Sequence, residues 1–478
     1  MSSLLLATQL AMATEIPAAL PRATPESQGL SSSGISRLVE RLDREIDHLH
    51  SLMLLRNGHV VAEGWWAPYA ADRPHMMYSL SKSWTSTAIG LLVAEGRISI
   101  HDPVTQFFPE AVPADASDNL RAMRVRDLLA MSTGQRAEEV DKLAFTRVET
   151  TPETFFRLAV DHKPGTLFVY NTPATYMLSA ILQRVTGQTL TEYLTPRLYE
   201  PLGIGVPEWL RDSRGVDLGG VGLNLRTEDV AKFGQLYLQR GEWQGRRLLP
   251  AEWVDLATSK QASNGSDPES EWDQGYGFQF WRCRHGAYRG DGAFGQYCIV
   301  MPDERTVIAI TGGVTDMGAV MDVLWQELRP NLRAAALRED ANAHAALGRQ
   351  LAGLVMPLPV GDAVPNGDWL GKAFRLESNL GGWETIRVTE TAIEAEISGL
   401  RHTWPIQNAG WTDAGIVVGE ASSVAAAWAN DHTLRITRIR HLTPYSQYVT
   451  VEFGEGTVVV TAKDNVGFIP SEFRAVGR

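Results

Sequence analysis

The stretch Tyr78-Ser79-Leu80-Ser81-Lys82 opens a long apolar segment, with Trp84, Ala88, Ile89, Leu91, Leu92 and Val93, that stops at Gly96. This reads as the first turn of a buried helix. Residues three apart share one helix face, so the Ser79 hydroxyl is expected beside the Lys82 amine. The free N–H groups of a helix start lie near the same point and hold negative charge. A serine nucleophile needs those neighbours: a base for its proton and donors for the oxyanion that forms after attack. Ser-x-x-Lys is a short string, and a capping serine with a solvated lysine produces it too. Of the seven lysines in the chain, only Lys82 has a serine three places before it.

At 478 residues the chain suits two domains, because single cores stop growing near about 250 to 300 residues. An apolar content of 44% against 21% charged describes a folded globular protein rather than a disordered one. The net charge is −12 with no Lys/Arg-rich run, which removes the electrostatic footprint of a nucleic-acid binder. Two cysteines, Cys283 and Cys298, sit in apolar strand-like sequence and imply neither a disulfide framework nor a thiolate metal cluster. Leu4 to Ala13 has the length of a leader's apolar region, yet no Lys or Arg precedes it and Gln9 interrupts it. A cytoplasmic protein is the expectation. No apolar run reaches the ~20 residues that span a bilayer.

Around the serine stretch, apolar positions at Ile35, Leu38, Val39, Leu42 and Ile46 predict a helix, and two apolar runs flanking Asn57-Gly58 predict a hairpin from Ser51 to Trp66. Helices are predicted at Val125–Met131, Pro152–Asp161, Ala174–Thr186, Leu190–Tyr199 and Thr227–Arg240. Strands are predicted at Gly277–Cys283, Gln296–Met301 and Thr306–Thr311, then a helix from Met317 to about Leu337. Beyond Met356-Pro-Leu-Pro-Val-Gly361 the pattern changes to short alternating segments, the mark of a small antiparallel β domain. The expected division is an N-terminal extension over 1–25, a main domain over 26–340, a linker over 341–361 and a β-rich domain over 362–478.

A third group must join the serine and lysine. Tyr170, in Tyr170-Asn171-Thr172 just before a helix, is the candidate, because a nearby lysine cation favours phenolate. The stretch Gly290-Asp291-Gly292-Ala293-Phe294-Gly295 contains a G-x-G-x-x-G string, but a strand follows it where a dinucleotide site needs a helix. Its glycines read instead as an edge strand that lets a ligand approach the backbone. His48 and His50 read as a solvated pair rather than a metal site. Trp65, Trp66, Trp84 and Trp281 are candidates for the walls of an apolar acyl pocket, with core packing as the default for each.

Taken together and in this order, Ser79-x-x-Lys82, Tyr170-Asn-Thr172 and Gly290-Asp-Gly292 resemble the three active-site motifs of class C β-lactamases and penicillin-recognising serine hydrolases. The wording near Ser79 and the β-rich tail are most similar to the esterase and 6-aminohexanoate-oligomer hydrolase branches. The resemblance implies an α+β fold: a β-lactamase/transpeptidase-like domain, with an antiparallel sheet flanked by helices and an inserted helical lobe, plus the C-terminal β domain. It implies Ser79 as acylated nucleophile, Lys82 as its partner in proton transfer, and Tyr170 as base for acylation and acid towards the leaving group. It also implies an oxyanion hole from the Ser79 and Ala293 amides, with Thr172, Gly290, Asp291 and Gly292 contacting substrate. No cofactor and no metal are implied.

Two departures bear on substrate. Thr172 replaces the family's asparagine, whose amide is either lost or displaced to Asn171, and Gly290 replaces the lysine that would meet a penicillin carboxylate. A hydrogen bond to a charged partner contributes about 1.5 to 3 kcal/mol, so its loss points to neutral esters or amides unless Arg289 or His285 supplies the cation. The expected activity is serine-dependent hydrolysis of a small ester or amide. A true β-lactamase or D-amino-acid peptidase, and a binding or sensor module that acylates without turnover, stand as alternatives.

Overall fold

The computed structural model describes residues 19–144, 149–468 and 471–478. The leader-like stretch from Leu4 to Ala13 lies outside them. The helices used below are α1 (Ser32–Glu45), α2 (Ser81–Ala94), α3 (Thr172–Thr186), α4 (Thr227–Leu238), α5 (Met317–Val323) and α6 (Ala341–Ala352). The strands of the main sheet are β1 (Leu49–Arg56), β2 (His59–Trp65), β3 (Trp281–Arg282), β4 (Tyr288–Gly292), β5 (Gln296–Met301) and β6 (Thr306–Gly312). They run in the order β2-β1-β6-β5-β4-β3, and every pairing is antiparallel.

Side chains alternate across a strand, and β1 shows what that does when both faces are covered. Met53 and Leu55 join the core beneath α2, α3 and α4, while Leu52 and Leu54 join the core beneath α1 and α5. All eight β1 residues are buried, and Leu52 to Leu55 read as a continuous apolar run rather than an alternating one. Helix α2 is buried nearly all round, which makes it the axis of the helical lobe. At Gly90 an added Cβ would stand 2.3 Å from the Trp253 ring, so only glycine admits that packing.

Several elements are shorter than the periodicity predicts. The helix expected to Leu337 is α5 followed by tighter and wider turns that end at Asn331, where Pro330 removes a donor. Only Trp281 and Arg282 of the strand expected at 277–283 pair as β3; Phe278, Gln279 and Phe280 are buried by packing instead of by a ladder. The Ala-rich start of the segment 341–361, whose composition suits a helix up to Leu354, forms α6, which packs on α1 and β2 with Leu347 buried, and the stiff Pro-rich stretch follows it.

Beyond it come a four-stranded sheet, β7 (Ala373–Arg375), β8 (Trp383–Val388), β9 (Ala392–Ile397) and β10 (Leu400–Pro405), and a six-stranded one. The latter comprises β11 (Gln407–Val417), β12 (Glu420–Asn430), β13 (Thr433–Arg440), β14 (Ser446–Gly454), β15 (Thr457–Asp464) and β16 (Phe473–Gly477). β10 runs into β11 with only Ile406 between them, and the last residue returns to β7: Arg375 N donates to Arg478 O at 3.1 Å and Arg478 N to Arg375 O at 3.2 Å. The two sheets thereby join along β7 and β16 and wrap one core as an open barrel. Its interior is filled by Trp369, Trp428, Phe453 and branched aliphatic side chains. No helix among the described residues is long and apolar enough to cross a membrane.

Candidate active site

Ser79 lies in a 3₁₀ turn, Tyr78–Leu80, that leads into α2, so the serine and lysine of the motif sit in consecutive turns of one segment. Lys82 Nζ donates to Ser79 Oγ at 2.8 Å and to Gly220 O at 2.9 Å. Lys82 is 1% exposed, and burial pulls its amine down to about 7 despite the opposing charge of Asp291. Tyr78, just before the serine, adopts φ +45°, a left-handed conformation that costs a non-glycine residue energy and that the surroundings must hold. Its hydroxyl meets the Tyr445 hydroxyl at 2.6 Å.

Tyr170 precedes α3 and hydrogen-bonds Ser79, with its ring 5.0 Å from Lys82 Nζ and stacked on Trp281 at 5.4 Å. Its expected drift towards phenolate does not occur. Burial and then the Asp291 charge push the phenol well above its ordinary value, outweighing the Ser79 hydrogen bond and Arg289. Since Lys82 itself sits near 7, the full cation on which that expectation depends is not sustained at neutral pH.

Asn171 turns away from the site. It is buried, caps α3 by accepting from Ala174 N at 2.9 Å, and donates to Gln135 Oε1 at 2.8 Å. The family amide is therefore not displaced to Asn171, and Thr172 faces the cavity. Gly290 and Gly292 act differently from the reading of a backbone open to ligand. An added Cβ would stand 2.5 Å from Leu80 Cδ1 and Ser83 Oγ at Gly290, and 2.1 Å from Met77 O at Gly292. These glycines let β4 press against the turn that carries Ser79, and neither borders the cavity. β3 pairs only with Tyr288 and Arg289, so Gly290 to Gly292 do form a free edge.

The cavity holds about 870 Å³ and is walled by Ser79, Tyr170, Thr172, Asp291 and Ala293 together with Val140, Phe168, Leu210, Trp272, Trp281, Met317 and Phe468. Trp281 is the one expected tryptophan that borders it. Trp84 is buried against Phe233, and Trp66 donates to Asp43. Among the described residues the lining contains two carboxylates, Asp141 and Asp291, and no cation. Arg289 stays behind the wall, fully buried, with Nε donating to Asp291 Oδ2 at 2.9 Å and Nη1 to Glu271 O at 3.0 Å and Cys283 Sγ at 3.1 Å. His285 packs edge-on against Trp325, away from the cavity. Neither replaces the family lysine.

Of the two histidines expected to be solvated, only His48 keeps partial exposure. His50 is fully buried, stacked on Tyr69 at 3.8 Å with Nδ1 3.0 Å from His75 Nε2, and His48 Nε2 meets the Tyr448 hydroxyl at 2.7 Å. No metal-holding group of His, Cys, Asp or Glu occurs among the described residues.

The sequence pattern does not single out the Lys82 acceptor, Gly220, although Gly219-Gly220-Val221-Gly222 is a visible signal for a backbone in close approach. Nor does it single out Trp272, Phe168, Met317 and Phe468, which nothing local distinguishes from core residues.

The beta-lactamase family model matches residues 42–312, more than half of the chain, so the chain belongs to the beta-lactamase family and is a serine hydrolase. It is 26% identical over 310 residues to a 6-aminohexanoate-dimer hydrolase of Paenarthrobacter ureafaciens, covering 60% of this chain and 78% of that protein. Among solved structures, EstCE1, a hydrolase with promiscuous acyltransferase activity, superposes with TM-score 0.51 at 16% identity, covering 62% of this chain and 99% of that one. A penicillin-binding protein homologue from Caulobacter crescentus superposes with TM-score 0.51 at 18% identity, covering 62% and 97%. These two likenesses establish the fold alone.

Proposed function

We propose that the chain hydrolyses small neutral esters or amides through an acyl-enzyme on Ser79. The observation that carries this reading is the 2.8 Å contact between Ser79 Oγ and a buried Lys82 whose amine sits near 7, at the floor of an apolar cavity. An amine near 7 is half neutral at physiological pH and can take the serine proton. Ser79 Oγ then attacks the carbonyl carbon, and the amides of Ser79 and Ala293 hold the oxyanion. Tyr170, which keeps its proton, donates it to the leaving oxygen or nitrogen as the C–O or C–N bond breaks, and Lys82 returns a proton to the phenol. Water, deprotonated by the same amine, then attacks the acyl carbon, and Lys82 returns that proton to Ser79 Oγ as the ester C–O bond breaks and the acid is released. This assigns the base to Lys82 and keeps Tyr170 as the acid.

Among the described residues the lining carries Asp141 and Asp291 and no cation, which favours uncharged or cationic substrates over an anionic penicillin. Cytoplasmic residence belongs to the same proposal, and intact mass of the native protein tests whether Leu4–Ala13 is retained. The deciding assay compares wild type and Ser79→Ala on p-nitrophenyl butyrate and nitrocefin, with intact mass after a fluorophosphonate. Serine-dependent ester turnover with little nitrocefin cleavage is expected. Full activity in Ser79→Ala would sink the reading, and labelling without turnover would turn it into a binding module.

A further inference from the structure

Phe468 belongs to the connection between β15 and β16, far along the chain from every motif of the site, yet it walls the same cavity as Ser79. It is 57% exposed, unusual for a phenylalanine, and its ring lies 5.0 Å from Phe294 and 5.9 Å from Tyr78. An exposed aromatic ring inside a concave apolar site is the signature of a ligand contact rather than of core packing.

The segment carrying it is anchored. Asn465 Nδ2 donates to Gly313 O at 2.9 Å and to Pro444 O at 3.0 Å, and Asn465 Oδ1 accepts from Ser446 N at 2.7 Å. At Gly313 an added Cβ would stand 2.1 Å from Pro444 O, so the barrel meets the main sheet at backbone contact. Met76 N donates to Leu442 O at 2.8 Å, and the Tyr445–Tyr78 hydroxyl pair lies beside the nucleophile turn. These contacts fix where the Phe468 ring stands relative to Ser79.

We infer that the C-terminal barrel is a working part of the active site, with Phe468 as a specificity-determining wall that favours substrates carrying an extended apolar chain. This rests on the Ser79 reading for its kinetics and on the cavity alone for its binding. An eight-carbon acyl chain on Ser79 can extend to the apolar walls of the cavity of about 870 Å³ that Phe468 helps form, whereas an acetyl group fills only the space beside Ser79.

The test measures kcat and KM for p-nitrophenyl acetate and octanoate with wild type, Phe468→Ala and Phe468→Leu. Phe468→Ala is expected to lower the octanoate-to-acetate ratio of kcat/KM about tenfold, mostly through KM, since trimming a half-exposed ring forfeits roughly the transfer free energy of one to two methylenes. Phe468→Leu should restore most of the ratio. A ratio within twofold of wild type in Phe468→Ala, or an equal loss on both esters, overturns the inference. Calorimetry with 1-octanol on Ser79→Ala and on Ser79→Ala/Phe468→Ala reads the same wall without chemistry. About tenfold weaker binding in the double variant upholds the inference even if Ser79 proves not to be the nucleophile, and equal binding overturns it.

Discussion

The floor of the Ser79 cavity and the interior of the C-terminal barrel are both buried, both lie against antiparallel sheet, and are built on opposite terms. Around Ser79 the protein encloses Lys82, Asp291, Arg289, Asn171 and Gln279 and holds Tyr78 in a left-handed conformation. The barrel encloses Trp369 stacked on Phe453 at 4.1 Å, with Ile436, Val451 and Val460 around them. Enclosing charge is costly unless it is paired, whereas enclosing apolar side chains is what stabilises a fold. The difference teaches where this chain places its reactivity and where it places its cohesion, and the two can be separated by substitution.

Lys82→Met should produce the largest effect, a fall in kcat/KM of about 10³-fold for a p-nitrophenyl ester, because the proposed base for Ser79 is gone. The thermal midpoint should hold or rise, since a buried amine becomes a thioether of similar length. A parallel loss of activity and stability would break the contrast. Phe453→Ala tests the other side. Its cavity should cost about 3 to 5 kcal/mol in urea denaturation of the barrel, while kcat per folded molecule stays within about twofold.

Gly292→Ala is next in size. Its Cβ would collide with Met77 O, and pushing the Ser79 turn by a fraction of an ångström should lower kcat about 10²-fold with little change in barrel stability. The smallest effect is the pH profile. Lys82 is protonated below its value near 7 and cannot accept the serine proton, so kcat/KM should fall about tenfold per pH unit below 7 and level off above it. The raised phenol of Tyr170 should leave that plateau unbroken to pH 9. An acid limb unmoved in Lys82→Arg would assign the titration to another group.

How much of this was legible beforehand depends on the range of the interaction. The hairpin at Asn57-Gly58, α1, α3 and α4 announced themselves through turn residues and helical period, both of which act within a few residues. The shortened strand at Trp281–Arg282 did not, because the burial of Phe278 and Phe280 comes from packing that mimics a strand's apolar run. Within the site, Ser79 and Lys82 stood out because one turn joins them. Tyr170 stood out only as part of a set. The meaning of Gly290 and Gly292 was misread, since what approaches a missing Cβ is set by the partner, here the Met77–Ser83 turn.

From its sequence alone this protein has a serine and a lysine one turn apart at the head of an apolar helix, a tyrosine before a second helix, a glycine-flanked aspartate before a strand, and a β-rich tail, because these features are local in the chain. Only the tertiary structure decided that Lys82 would be buried against the Gly220 carbonyl and titrate near 7, that Asp291 would hold Arg289 behind the cavity wall, and that Phe468 would wall the same cavity as Ser79. Desolvation, ion pairing and cavity shape depend on which distant segments meet.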